Sequence, residues 1–271
     1  MVMRLEAKEG GGATAFQTLV RPVIYLDHWA IRLFGEDLTQ QDRLVQALQG
    51  VGGTLFFSLQ NLFEFTAMTD GRQAEEAETL LGRVIPNLYV ADSFIDLGMF
   101  LRDGQKHGDE HEKHVMLKML IKSGEAGPFF STKGYVSAVV DHADRLAPLF
   151  QQMNSSIATK MMELRDDDSM TTKARKYRPG HHTTLEAMLI AEMARDTHIG
   201  QGTFSPNDTA DWIHAVTAAL VGDLVLLDAR WRDKLEKATR RIRAAGVQAR
   251  IAKPFSKSSV NDFLLALEQW K

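Results

Sequence analysis

The sequence predicts an α/β protein built on a parallel sheet, and three observations carry that prediction. Short apolar runs rich in β-branched and aromatic residues alternate with stretches of helical periodicity. Two of those runs, Val23–Leu26 and Leu224–Leu227, stop on an aspartate, as strands do when they deliver side chains to one sheet edge. The 271 residues are 44% hydrophobic and 25% charged, enough for a globular core and unlike a disordered or collagen-like chain.

Residues 1–20, with the run Gly10-Gly11-Gly12, read as a flexible leader. The start has no apolar h-region, and no stretch approaches 18 apolar residues, so a soluble cytoplasmic protein without membrane contact is expected. Val23–Leu26 is continuously apolar and fits a buried parallel strand. A helix is predicted from about Thr39 to Leu48, closed by Gly50, Gly52 and Gly53. Thr54–Phe57 is the second strand, Ser58 stands in a capping position, and a helix starts near Leu59 or Gln60. A further helix spans about Arg72 to Val84, and Leu88–Val90 is a brief third strand.

The alternation then stops. Residues 92–200 show almost no strand signal and read as a large helical insertion, within which Asn154–Pro179 is polar and suggests a mobile loop. After it come a helix from Asn207 to about Val221, the strand Leu224–Leu227, a basic helix from Trp231 to Ala245, an edge strand over Val247–Ala252 and a terminal helix from Val260 to Gln269. The core is therefore expected in residues 21–91 and 201–271.

The absence of cysteine excludes disulfides, thiolate metal sites and thiol nucleophiles. Carboxylates are the remaining candidates. Asp27 and Asp228 follow strands, Glu64 lies on the helix after the second strand, and Asp208 and Asp211 are spaced i, i+3 on one helix face. Like charges ~4 Å apart at an effective dielectric near 20 repel by roughly 4 kcal/mol per pair, so protons or a divalent cation must offset them. Mg²⁺ and Mn²⁺ prefer oxygen ligands. Asp208 or Asn207 also serves as a helix cap in the plainer reading, and Asp223 reads as a solvated loop acid. His214, three residues past Asp211, is placed to orient it, to contact phosphate, or to pack beneath the sheet edge.

The segments VIYLDHW (23–29), FFSLQNLFE (56–64) and NDTADWIHAVTAALVGDLVLLD (207–228) resemble the PIN domain family of metal-dependent ribonucleases. The resemblance covers about residues 21–90 and 203–255. It implies a three-layer α/β/α core in which Asp27, Glu64, Asp211 and Asp228 are catalytic and hold Mg²⁺ or Mn²⁺, with Asp208 as a further ligand. His28 and Trp29 stand where such proteins usually carry a small polar residue after the first aspartate.

Charge is uneven. Net charge is −3, yet residues 230–257 hold ten Lys or Arg against Asp233 and Glu236, a local +8, leaving −11 elsewhere. Arg230, Trp231 and Arg232 directly follow Asp228, and Lys234, Arg240 and Arg241 continue the helix. Together they are expected to hold a nucleic-acid strand by charge and stacking. The plainer alternative is a solvated helix with Trp231 turned inward. Lys173, Arg175, Lys176 and Arg178 form a second basic run, read as a solvated loop or one closing over substrate.

His107, His111 and His114 fall at helical spacing among acids and read as an exposed polar face rather than a transition-metal site. The twelve methionines read as core gap-fillers. No dinucleotide, P-loop or serine-esterase motif is present. The expectation is a metal-dependent endonuclease acting on single-stranded RNA in preference to DNA. The alternative is a PIN-like scaffold that binds nucleic acid or protein without catalysis, with a homo-oligomer or protein partner engaging the insertion.

Overall fold

The computed structural model describes residues 2–7, 13–67, 71–91, 110–112, 121–124, 127–130, 135–200 and 203–271. Part of the expected leader is ordered in strands β1 (Met3–Ala7) and β2 (Ala13–Thr18), which pair antiparallel with Met3 opposite Gln17. One residue ties this pair of strands to β5 (Leu88–Ala91). Gln17 is buried, its amide nitrogen donates to the Val90 carbonyl at 3.1 Å, and its oxygen accepts from the Val90 N–H at 2.7 Å. An unpaired sheet edge is thereby satisfied by a side chain.

Along the chain follow β3 (Val23–Leu26), α1 (His28–Glu36), α2 (Leu38–Val51), β4 (Thr54–Ser58), α3 (Leu59–Glu64), a 3-10 turn (Phe65–Ala67), α4 (Gly71–Val84) and β5 (Leu88–Ala91). Next come β6 (Glu110–Glu112), β7 (Ile121–Gly124), β8 (Gly127–Phe130), α5 (Tyr135–Asp141), α6 (Ala143–Asp166), α7 (Asp168–Lys176), a 3-10 turn (Pro179–His181) and α8 (Leu185–Ile199). The chain ends with α9 (Pro206–Val221), β9 (Leu224–Leu226), α10 (Ala229–Ala244), β10 (Lys253–Phe255) and α11 (Val260–Glu268).

The central sheet has the order β10-β9-β3-β4-β5, and every neighbouring pair is parallel. The α/β prediction therefore holds. Buried strands alternate side chains between two apolar layers. Ile24, Leu26, Leu55 and Leu226 pack with Phe34, Leu44, Leu81 and Phe263 from α1, α2, α4 and α11. Val23, Tyr25, Phe56 and Val225 pack with Leu189, Ala215 and Leu235 from α8, α9 and α10. The chain leaves β3 for β4 and β5 on one side and returns to β9 and β10 on the other. The switch point thus lies between β3 and β9, where α/β sheets open a crevice at their carboxyl ends.

Several expectations are corrected. Helix α1 was not anticipated; Asp27 caps it, and Ala30, Ile31 and Phe34 form its buried face. The last strand is Lys253–Phe255, not Val247–Ala252. Asn154–Pro179 is helical through α6 and α7, with Asp167 capping α7, and the second basic run lies at the end of α7 and just beyond it. Among the described residues of the insertion, short strands β6, β7 and β8 precede the helices α5 to α8. His111 sits in β6, while His107 and His114 lie outside the described residues. Met161, Met188 and Met193 are buried, as gap-fillers should be. Asp223 is no solvated acid. Its side chain is 3% exposed, meets Arg21 at 2.5 Å and Arg250 at 2.7 Å, and accepts from the Val23 N–H at 2.8 Å. Among the described residues no helix is long and apolar enough to cross a membrane.

Candidate metal centre

Asp27 and Asp228 follow β3 and β9 on either side of the switch point. Each also caps the helix it starts: Asp27 accepts from the His28 N–H at 2.7 Å, and Asp228 from the Arg230 and Trp231 N–H groups at 2.7 and 3.1 Å. Capping and site-building coexist, because a carboxylate has a second oxygen to offer. Glu64 is the last residue of α3. That short helix is set by a capping box in which Ser58 Oγ accepts from the Asn61 N–H while Asn61 Oδ1 accepts from the Ser58 N–H. Asp211 and His214 project from one face of α9, one turn apart.

The structure brings Asp27, Glu64 and His214 together, with one ligand atom from each lying within 4.8 Å of the others. His214 is fully buried and its Nε2 lies 2.9 Å from Glu64 Oε2, out of line for a hydrogen bond. Its Nδ1 contacts the buried Tyr25 hydroxyl. The proton order along this chain follows from its far end. Asn61 Nδ2 donates to the Leu26 carbonyl at 2.9 Å, so Asn61 Oδ1 faces Ser58 and accepts its hydroxyl at 2.8 Å. Ser58 Oγ must then accept from Tyr25, 3.1 Å away, and Tyr25 must accept from His214 Nδ1. His214 Nδ1 therefore carries a hydrogen, and Nε2 is the nitrogen left to face the acids. A histidine that binds metal is oriented in this way, by a hydrogen bond from its other ring nitrogen.

Electrostatics match this geometry. Burial would drive the His214 imidazole down, but Glu64, then Asp27 and Asp211, outweigh it and raise its pKa to about 9. Burial raises Asp27 to about 7, with His214 opposing and the Glu64 and Asp211 charges adding to it. Burial and the Asp228 charge raise Asp211 to about 6. Burial also pushes Glu64 up, but the His214 and His28 rings prevail and hold it below its ordinary value. Protons thus offset the mutual repulsion of Asp27, Glu64 and Asp211, while Asp228 acts on Asp211 and lies outside the Asp27–Glu64–His214 cluster. Two carboxylates, one imidazole nitrogen and unaligned buried atoms at Glu64 Oε2 and His214 Nε2 are a donor set that fits a divalent cation.

Other predicted residues have different positions. Asp208 is held by Ser205, whose N–H and hydroxyl donate at 2.9 and 2.7 Å, and by Arg230, so its carboxylate is committed outside the cluster. Trp231 is 1% exposed and unable to stack on a base; it packs inward because its helix carries Leu235 and Ala238 on the same buried face. Its indole N–H faces Asp211 outside hydrogen-bond geometry. Lys234 lies over the Trp231 ring at 4.0 Å. Arg232 pairs with Asp233 at 2.6 Å, and Arg241 with buried Glu192 at 2.7 Å. Arg240 is exposed. Sequence reasoning missed Tyr25, Ser58 and Asn61 as supports, and His28, whose Nδ1 lies 3.7 Å from Glu64 Oε2.

A cleft of about 500 Å³ opens beside the cluster, lined by Glu64, Asp211, His28, Phe63, Phe150 and Asn154 among others. A larger groove of about 910 Å³ lies around Arg21, Arg43 and Trp270, at the amino-terminal edge of the sheet and away from these acids. Its arginines are taken by Asp223 and Glu268. Comparisons of the chain with protein-family models, curated proteins and solved structures return no match.

Proposed function

We propose that the protein is a divalent-metal-dependent nuclease of the PIN-like kind, acting on single-stranded RNA. One observation carries the reading: Asp27, Glu64 and His214 point their ligand atoms at one another at the switch point, with Asp211 and Asp228 beside them and a cleft alongside. The strand order β5-β4-β3-β9-β10 is the doubly wound one that puts a site there. Asp27, Glu64 and His214 would hold the ion, with Asp211 adjacent. Bound there, a divalent cation supplies a Lewis acid for phosphodiester hydrolysis. Imidazole in the donor set favours Mn²⁺ over Mg²⁺.

The chain's own groups do the remaining work. The Ser58–Tyr25 relay keeps His214 Nε2 aimed at the acids, and Asp211, raised to about 6, can hold or release a proton near neutral pH beside the cleft. RNA as substrate draws on the resemblance and on the basic segment 230–257, with exposed Arg240 and Arg243 available to phosphate in place of Trp231. In the test, the purified protein is incubated with single-stranded RNA and Mn²⁺. Cleavage is expected, and Asp27→Asn is expected to lose about 100-fold or more. Absence of both RNA or DNA cleavage and Mn²⁺ uptake in calorimetry overturns the reading.

A non-catalytic scaffold is favoured by a different observation: His214 already neutralises Glu64 and Asp27 within the fold. A double change, Asp27→Asn with Asp228→Asn, separates the two. Lost cleavage with retained RNA binding supports the nuclease, whereas unchanged behaviour in every assay supports the scaffold.

A further inference from the structure

The insertion contributes one wall of the cleft, and that wall contains a buried polar atom without a hydrogen-bond partner. Asn154, on α6, is 4% exposed and lines the cleft, and its Oδ1 has no hydrogen-bond partner. A buried amide oxygen left unsatisfied costs about 1–3 kcal/mol unless something donates to it. Four residues before it, Phe150 lines the same cleft and stacks with Phe63 at 5.5 Å between ring centres and 25° between planes. The two rings come from the insertion and from α3, the helix that ends on Glu64. An aromatic platform, an amide with an open acceptor and a carboxylate cluster therefore border one space of about 500 Å³, within the usual range for small-ligand pockets.

We propose that this cleft is a base pocket, in which a nucleobase next to the scissile phosphate stacks on Phe63 and Phe150 and hydrogen-bonds Asn154, with adenine preferred for its larger ring face. Base stacking on aromatic rings accepts every base and favours the larger purine face modestly, while the amide holds whichever base is seated. The Asn154 oxygen needs a donor. Adenine supplies one at N6 and an acceptor at N7 beside it, the pair that an asparagine amide matches through both of its ends. Uracil offers the same pairing at N3–H and O4, but its single ring covers less of the two phenyl faces, so the preference for adenine comes from stacking. Glu64 and Asp211 border the same cleft, so a base seated there leaves its phosphate on the acidic side. This assignment rests on the nuclease reading for the position of the phosphate, not for the base contact itself.

The test has a binding arm and a cleavage arm. In the first, AMP and UMP are titrated into the metal-free protein by calorimetry. AMP is expected to bind a few-fold more tightly, in line with the modest preferences that stacking strength gives. Asn154→Asp, close in shape, is expected to weaken both nucleotides, and Phe150→Leu to weaken both and bring the two affinities together. In the second arm, single-stranded RNAs with adenine or uracil at a single varied position are offered with Mn²⁺, and cleavage beside adenine is expected to be a few-fold faster. Equal affinity for AMP and UMP, or binding of neither, overturns the pocket. So does cleavage without base preference, which leaves the nuclease reading standing. AMP preference with no cleavage of any RNA supports the pocket and rejects the nuclease.

Discussion

At the scale of single residues, the feature that governs the site is a buried histidine between carboxylates. His214 is raised to about 9 and Asp27 to about 7, so the folded protein holds both protons more tightly than the unfolded chain does. The sign follows directly. The His214 contribution is fully present below its unfolded value near 6.5 and is lost as pH rises through about 9. Asp27 loses stability in the same direction between about 4 and about 7. Glu64, held low, works oppositely and only in acid. The melting temperature of the metal-free protein should therefore fall from pH 6.5 to pH 9.5, with His214 accounting for on the order of 3 kcal/mol. In His214→Gln the fall through about 9 should give way to one set by Asp27 and Glu64, which burial raises further once the His214 charge is gone, and a flat wild-type profile would reject the charged-histidine assignment. The relay gives a second prediction. Tyr25→Phe removes the acceptor for His214 Nδ1 and the donor to Ser58, and should lower stability by about 1–3 kcal/mol in urea melts.

At the scale of elements, close approaches decide which glycines are replaceable. Gly222 ends α9 just before β9, and a Cβ there would stand 2.5 Å from Val225 Cγ1 and 2.7 Å from the Ala218 carbonyl oxygen. Gly222→Ala should destabilise by about 1–3 kcal/mol. Gly50, in the last turn of α2, has nothing within 4 Å, so Gly50→Ala should stabilise by about 0.5–1 kcal/mol. Thermal melts showing the same sign for both would contradict the packing described. These elements also show what was legible in advance. The central strands were readable because burial on both faces writes an unbroken apolar run, as in Val23–Leu26 and Thr54–Phe57. Strand β10 was not, because Lys253-Pro254-Phe255 has no strand signature; pairing with Leu224–Leu226 makes it one, and proline is tolerated at an edge. The acids were legible from strand ends. The role of His214 was not, since it depends on Tyr25, Ser58 and Asn61, which only the sheet register places together.

At the scale of the whole molecule, the question is how the insertion is fixed to the core, because α6 walls the cleft that the core acids border. Helix α8 is tied to α10 by two ion pairs: Lys237 with Asp196 at 2.9 Å, and Arg241 with Glu192 at 2.7 Å. They differ in weight. The Lys237 and Asp196 side chains are 50% and 35% exposed, so solvent screens them and their contribution is small. The Glu192 side chain is 2% exposed, and removing its partner leaves a buried charge unpaired. Arg241→Ala should therefore cost about 3 kcal/mol in urea unfolding, and Lys237→Ala under about 1 kcal/mol. Adding Glu192→Leu to Arg241→Ala should restore most of the loss, since an apolar side chain of similar volume suits that position between α8 and α10. The same variants decide what Arg241 is for. A structural arginine changes the unfolding midpoint and leaves RNA affinity of the folded protein alone. A phosphate-binding arginine does the reverse, lowering affinity and flattening its salt dependence while the midpoint stays put. The Arg241–Glu192 geometry predicts the first outcome.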